Sequence, residues 1–195
     1  MSDLPLDPIA IDVGRVLQHT ETSLCANLVT RPTGRAVRVA IETRLRTAGA
    51  SSLSLIDFSE VRILDFSCAD EVVAKLLQRY VDPTGPEAFF VFRGIHEPHR
   101  DQVEYVLRRQ GLLAVAETAP SRFELLGDRT GPEERVWGGL ERLGLVPPPL
   151  VREAAGSVPQ LDSQVLEALV RRRVAFRSPV SGRIHALSQL VRHLL

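Results

Sequence analysis

The residues best equipped for chemistry form one short run, Asp65-Phe66-Ser67-Cys68-Ala69-Asp70-Glu71, where a strand-like segment gives way to a helical one. A small hydroxyl at a helix N-terminus suits regulation, because a phosphate placed there meets unbonded backbone N–H groups and the positive end of the helix dipole. Ser67 followed three residues later by Asp70 also has the hydroxyl-to-acid pattern of a capping box, in which Ser67 satisfies an orphan N–H worth about 1 kcal/mol. Asp65, Asp70 and Glu71 would crowd a phosphate of charge about −2, so modification of Ser67 is expected to break an interface rather than build one. The Cys68 thiol stands where a helix dipole lowers a pKa, but its acidic neighbours oppose that, and the spacing favours a buried structural cysteine.

Other candidate chemistry is sparse. His96, Glu97 and His99 invite a metal reading, but Pro98 interrupts them and no His-Glu-x-x-His frame exists, so a surface loop and no metal are expected. There is no Gly-x-Gly-x-x-Gly, no P-loop and no Gly-x-Ser-x-Gly, so neither a nucleotide cradle nor a hydrolase nucleophile is indicated. A non-enzyme without a cofactor is the expectation. From Arg171 onward the chain carries six arginines and no acid. That excess attracts a polyanion weakly, or else forms a solvated basic face.

These residues depend on the elements that hold them. Ile9 to Leu17 and Ser23 to Thr30 read as strands, an antiparallel start to a sheet. Val37, Ala40, Ile41, Leu45 and Ala48 space a helix that opens at Thr33-Gly34 and stops near Gly49. Leu53 to Phe58 is a compact apolar run, the pattern of a buried central strand, and Val61 to Leu64 leads to Asp65. The clearest helix follows: Ala69, Val72, Val73, Leu76, Leu77 and Tyr80 make its core stripe. Ala88 to Phe92 is a strand, Pro98 to Gln110 a helix ended by Gly111, and Leu112 to Glu117 and Phe123 to Leu126 close the sheet. Alternating strands and helices predict an α/β (α+β) fold, a mixed sheet with helices mainly on one face.

Gly127 to Pro132 is turn-rich and marks the expected boundary between a domain of residues 1–128 and a smaller one of 129–195. The second region reads as helices over Glu133 to Leu143, Leu150 to Ala155 and Leu161 to Arg172, then a hairpin of Val174 to Arg177 and Arg183 to Leu187. At 195 residues, 44% hydrophobic and 25% charged, the chain can bury a core, and its formal net charge is zero. Cys25 and Cys68 lack disulfide-framework or zinc spacing, no apolar run reaches membrane-span length, and the N-terminal residues lack a signal-peptide pattern. A cytoplasmic protein is the expectation.

From Leu55 to Val73 the chain resembles STAS domains, those of sulfate transporters and anti-sigma-factor antagonists, and is most similar to the STAS-like branch of unassigned function. The match covers about residues 30–126, including the Thr30-Arg31-Pro32-Thr33-Gly34-Arg35 entry to a helix. In antagonists of that family a strand is followed by aspartate, two small hydroxyl residues and glycine, and a histidine-kinase-like ATPase phosphorylates the second hydroxyl. Asp65 matches the aspartate and Ser67 the phosphoacceptor, while Phe66 and Cys68 depart from the pattern. The resemblance implies a partner-binding edge of Asp65, Phe66, Ser67, Cys68, Asp70 and Glu71, and a histidine-kinase-like ATPase or anti-sigma-type protein as partner. The order helix, helix, helix, hairpin in residues 131–195 resembles a winged helix-turn-helix, which puts Leu161 to Arg172 in the recognition-helix position. Gln164, Arg171, Arg172, Arg177 and Arg183 are then the candidates for contact with DNA, though such modules also dock proteins or dimerise. The expected function is a non-enzymatic interaction switch, with a DNA-binding transcriptional regulator as the alternative and a homodimer compatible with either.

Overall fold

The computed structural model describes residues 4–20, 27–82, 85–95, 97–148 and 161–195. Its frame is a five-stranded sheet of β1 (Asp7–Asp12), β3 (Ser51–Asp57), β5 (Glu87–Arg93), β6 (Leu113–Ala119) and β7 (Arg122–Gly127), lying side by side in that order. The first four run parallel and β7 returns antiparallel to β6. Parallel strands covered on both faces need continuous apolar runs, and β3 and β5 have five consecutive buried residues each. The mixed α/β class expected from the sequence is observed.

The N-terminal reading needs correction. The strand ends at Asp12, and Val13–Thr20 forms helix α1, with Val13, Val16 and Leu17 buried. The alternation Ile9, Ile11, Val13 overlaps the helical series Val13, Val16, Leu17, and the Asp12 carboxylate, accepting from Arg15 N–H at 3.1 Å, stops the strand. The start of the sheet is parallel, because a helix and a crossover separate β1 from β3. Of the second expected strand only β2 (Asn27–Leu28) lies among the described residues, and it pairs in parallel with β4 (Ile63–Leu64) outside the main sheet.

Helix α2 (Arg31–Leu45) starts from Thr30, whose hydroxyl accepts from Thr33 N–H, with Pro32 in its first turn. Helix α3 (Phe66–Ala69) runs straight into a π-helical turn (Asp70–Ala74) and then α4 (Lys75–Val81). Together with α1 and α5 (His99–Arg109) they seal one face of the sheet in a core that includes Val37, Ile41, Phe58, Val72, Leu76, Phe92 and Val103.

Residues from Gly131 onward cover the opposite face. Helix α6 (Gly131–Leu143) opens with a capping box between Thr130 and Glu133, and is followed by β8 (Leu145–Val146). Next come α7 (Ser163–Arg171), β9 (Ala175–Arg177), β10 (Ile184–Ala186) and α8 (Leu187–Leu194). The strands form a small antiparallel sheet ordered β8-β10-β9. The expected helix over Leu150 to Ala155 lies outside the described residues, and α8 is an addition, since the second hairpin arm ends at Ala186. This layer shares one apolar cluster with the sheet: Leu53, Phe89, Val91 and Val115 pack with Trp137, Leu169, Phe176 and Leu190. Phe89 and Phe176 meet edge to face at 5.2 Å, and Arg173 lies 5.4 Å over the Phe89 ring while pairing with Glu87.

Candidate protein-docking site

The run singled out in the sequence sits at the end of β4, where Asp65 N–H donates to the Leu28 carbonyl at 2.9 Å and ties the turn to β2. Asp65 has extended backbone, and its Oδ1 accepts from Cys68 N–H at 2.8 Å and from the Ser67 hydroxyl at 2.9 Å. The cap is therefore Asp65, and the expected Ser67–Asp70 capping box does not form. The helix starts at Phe66, two residues too early for Ser67 to occupy the cap position. Burial pushes the Asp65 carboxyl upward, but the Cys68 N–H and the Ser67 hydroxyl outweigh it and hold the group below its ordinary value.

The acidic residues beyond it are neutralised by Lys75 on the same helical run and by partners distant in sequence. Asp70 accepts from Arg31 at 2.8 Å and from the Gln110 amide, and Lys75 stands 3.7 Å away. Glu71, 2% exposed, meets Arg31 at 3.0 Å, Arg38 at 3.3 Å and Lys75. Arg38 also reaches the buried Glu42 at 2.6 Å. Burial raises the Glu71 carboxyl, but Lys75 and Arg31 bring it below its usual range. The expectation that Asp70 and Glu71 crowd a phosphate on Ser67 is thus corrected, because both charges are already matched. The π-helical turn contributes to this geometry: Lys75 N–H donates to Asp70 O across five residues. Such turns are found often at functional sites.

The partner-binding set splits by exposure. Cys68 is fully buried, its thiol donates to the Thr30 carbonyl at 3.0 Å, and burial with the Asp65 charge pushes its pKa up to about 12. Cys68 and Glu71 therefore give no side chain to an outer surface, a second correction to the expected set. Phe66 is 52% exposed and stacks edge to face at 5.2 Å on Tyr105 of α5, itself 55% exposed. Val29 and Ile63, at the β2–β4 ribbon, are exposed as well. Ser67 opens into a groove of about 500 Å³ lined also by Arg31, Phe66, Asp70, Tyr105, Arg109 and Gln110.

Arg31, Tyr105, Arg109 and Gln110 were missed from sequence because they come from α2 and α5. The available signal was Tyr105, an aromatic off the buried stripe of Val103, Val106 and Leu107. His99 is also corrected: it begins α5, is buried, and its ring N–H donates to the Arg62 carbonyl at 3.2 Å, rather than lying in a surface loop. His96 lies outside the described residues.

The nucleic-acid candidates do not form one open basic face. Gln164, Arg171 and Arg183 are exposed. Arg172 donates to the Gly111 and Asp128 carbonyls at 2.9 and 2.8 Å and pairs with Glu133 at 2.9 Å, which binds α7 to the sheet layer. Arg177 pairs with Glu167. Asp162, capping α7 through Gln164 and Val165 N–H, puts a carboxylate at the helix start. No known family model, curated protein or solved structure matches the chain.

Proposed function

We propose that this protein is a non-enzymatic interaction switch of the STAS-like, anti-sigma-antagonist kind, docking a histidine-kinase-like ATPase or an anti-sigma-type protein through the edge at Ser67. The observation that carries this reading is the exposed Phe66–Tyr105 pair beside the Ser67 hydroxyl. Large aromatic rings left half in water on a monomer are the usual anchors of a protein interface. The Ser67 hydroxyl is the control point, since a phosphate there would lose its bond to Asp65 and stand within the docking edge. DNA contact through residues 131–195 has less support, because Arg172 and Arg177 are already paired with Glu133 and Glu167.

Affinity capture with the intact chain from its source, followed by mass spectrometry, identifies the partner and any phosphate on Ser67. Phe66→Ala and Tyr105→Ala are each expected to weaken the complex about 30-fold, the size of an aromatic hot spot. Ser67→Glu should weaken it and Ser67→Ala should not. A complex indifferent to Phe66 and Tyr105 rules out this edge. One indifferent to Ser67→Glu rules out the switch.

A further inference from the structure

A second groove, of about 880 Å³, runs along the outer side of α2 and shares Arg31 and Lys75 with the groove at Ser67. Helix α2 buries Thr33, Val37, Ile41 and Leu45, yet Pro32, Ala36 and Val39 form another apolar series at i, i+4 and i+7 on its outer side. Val39 is 45% exposed. That spacing makes a seam against which another helix packs, and its small residues let the two axes come close.

The charge around the seam selects the occupant. Arg31, Arg35 and Lys75 rim it, and Arg35 is exposed with no ion pair among the described residues. The single carboxylate in the wall, Glu71, is buried and already met by Arg31, Arg38 and Lys75. Arg31 and Lys75 are shared with Asp70 and Glu71, so Arg35 is the cation left over, and the rim stays net positive over an apolar floor. A second copy offering the same face would oppose cation to cation, and a nucleic-acid backbone would leave the Ala36–Val39 floor uncovered. Resting on the docking reading above, we propose that this groove seats an acidic amphipathic helix of the same partner protein that docks at Phe66, its apolar residues on Pro32, Ala36 and Val39 and its carboxylates on Arg31, Arg35 and Lys75.

Photo-crosslinking in cells of the source tests this, with a benzophenone amino acid placed in the full chain at Val39, at Phe66, or at Val180, an exposed control on the β9–β10 hairpin. The expected result is the same partner captured from Val39 and Phe66, with the Val39 adduct mapping to a helical segment rich in Asp and Glu. Arg35→Glu should lower the Val39 yield at least fivefold, and Arg35→Lys should leave it near wild type. Capture from Phe66 with none from Val39 overturns the α2 groove and leaves the docking edge standing. Capture from neither position above the Val180 level removes both. An adduct to a second copy of this chain, or to a neutral or basic segment, also overturns the proposal.

Discussion

Glu71 shows how one buried carboxylate organises the site. Its oxygens meet Arg31, Arg38 and Lys75, so three cations from two elements converge on a single charge. An unpaired charge in that position would be costly, and the pairing is what allows the π-helical turn to lie against α2. Replacing Glu71 with Gln should cost about 2 kcal/mol at neutral pH, the value of hydrogen bonds to a charged group. The sign with pH follows from the native carboxyl being held below its ordinary 4.5. Its contribution is complete above that value and is lost as acid titrates the native group. Urea titrations at a series of pH values should therefore show the gap between wild type and Glu71→Gln constant above about pH 5.5 and shrinking as pH falls below about 4.5. A gap that grows with acid would show that Glu71 is not the anion in this network.

The start of the 66–81 helix decides what Ser67 is free to do. Asp65 carries the cap, so Asp65→Ala should destabilise the protein by about 1–2 kcal/mol in urea unfolding, whereas Ser67→Ala should cost under about 0.5 kcal/mol. Equal losses would return the cap to Ser67 and weaken its assignment as a control point. The helix itself was legible, because Val72, Val73, Leu76, Leu77 and Tyr80 repeat at its period and all are buried. Its first residue was not, since Asp65 and Ser67 are both good caps and only the Cys68 N–H geometry separates them. The π-helical turn leaves no mark in a 3.6-residue pattern. Lys75 stands at i+4 from Glu71, but the partners Arg31, Arg38 and Gln110 were hidden, because the fold brings them there and local spacing does not encode it. Helix α1 was lost for a related reason, its Val13 completing both a strand's alternation and a helix's stripe.

At the scale of the molecule, the turn at residues 127–132 separates two stretches of different pattern that nevertheless share a core. Leu53, Phe89, Val91 and Val115 of the sheet form one apolar cluster with the layer from Gly131 onward, joined at its edge by Leu6. Arg172 and Arg173 pin that layer through the Gly111 and Asp128 carbonyls and Glu87, and Arg192 of α8 reaches the Ser121 carbonyl while lying 5.0 Å over the Phe123 ring. Contacts so distributed should make both layers unfold together. Phe176 is fully buried against Phe89, and Phe176→Ala should remove about 3–5 kcal/mol through lost burial and the cavity left behind. Trp137 fluorescence reports the outer layer, where its ring is buried, and far-UV circular dichroism weighs the whole chain. The two signals should give one coincident transition in the wild type and one coincident, earlier transition in Phe176→Ala. If Trp137 instead melts first while most of the ellipticity persists, the layer beyond Gly131 is an independent unit and a fragment carrying it can be assayed alone. With a coincident transition, any partner or duplex must be presented to the whole chain, because removing either layer would expose the apolar face that the other now covers.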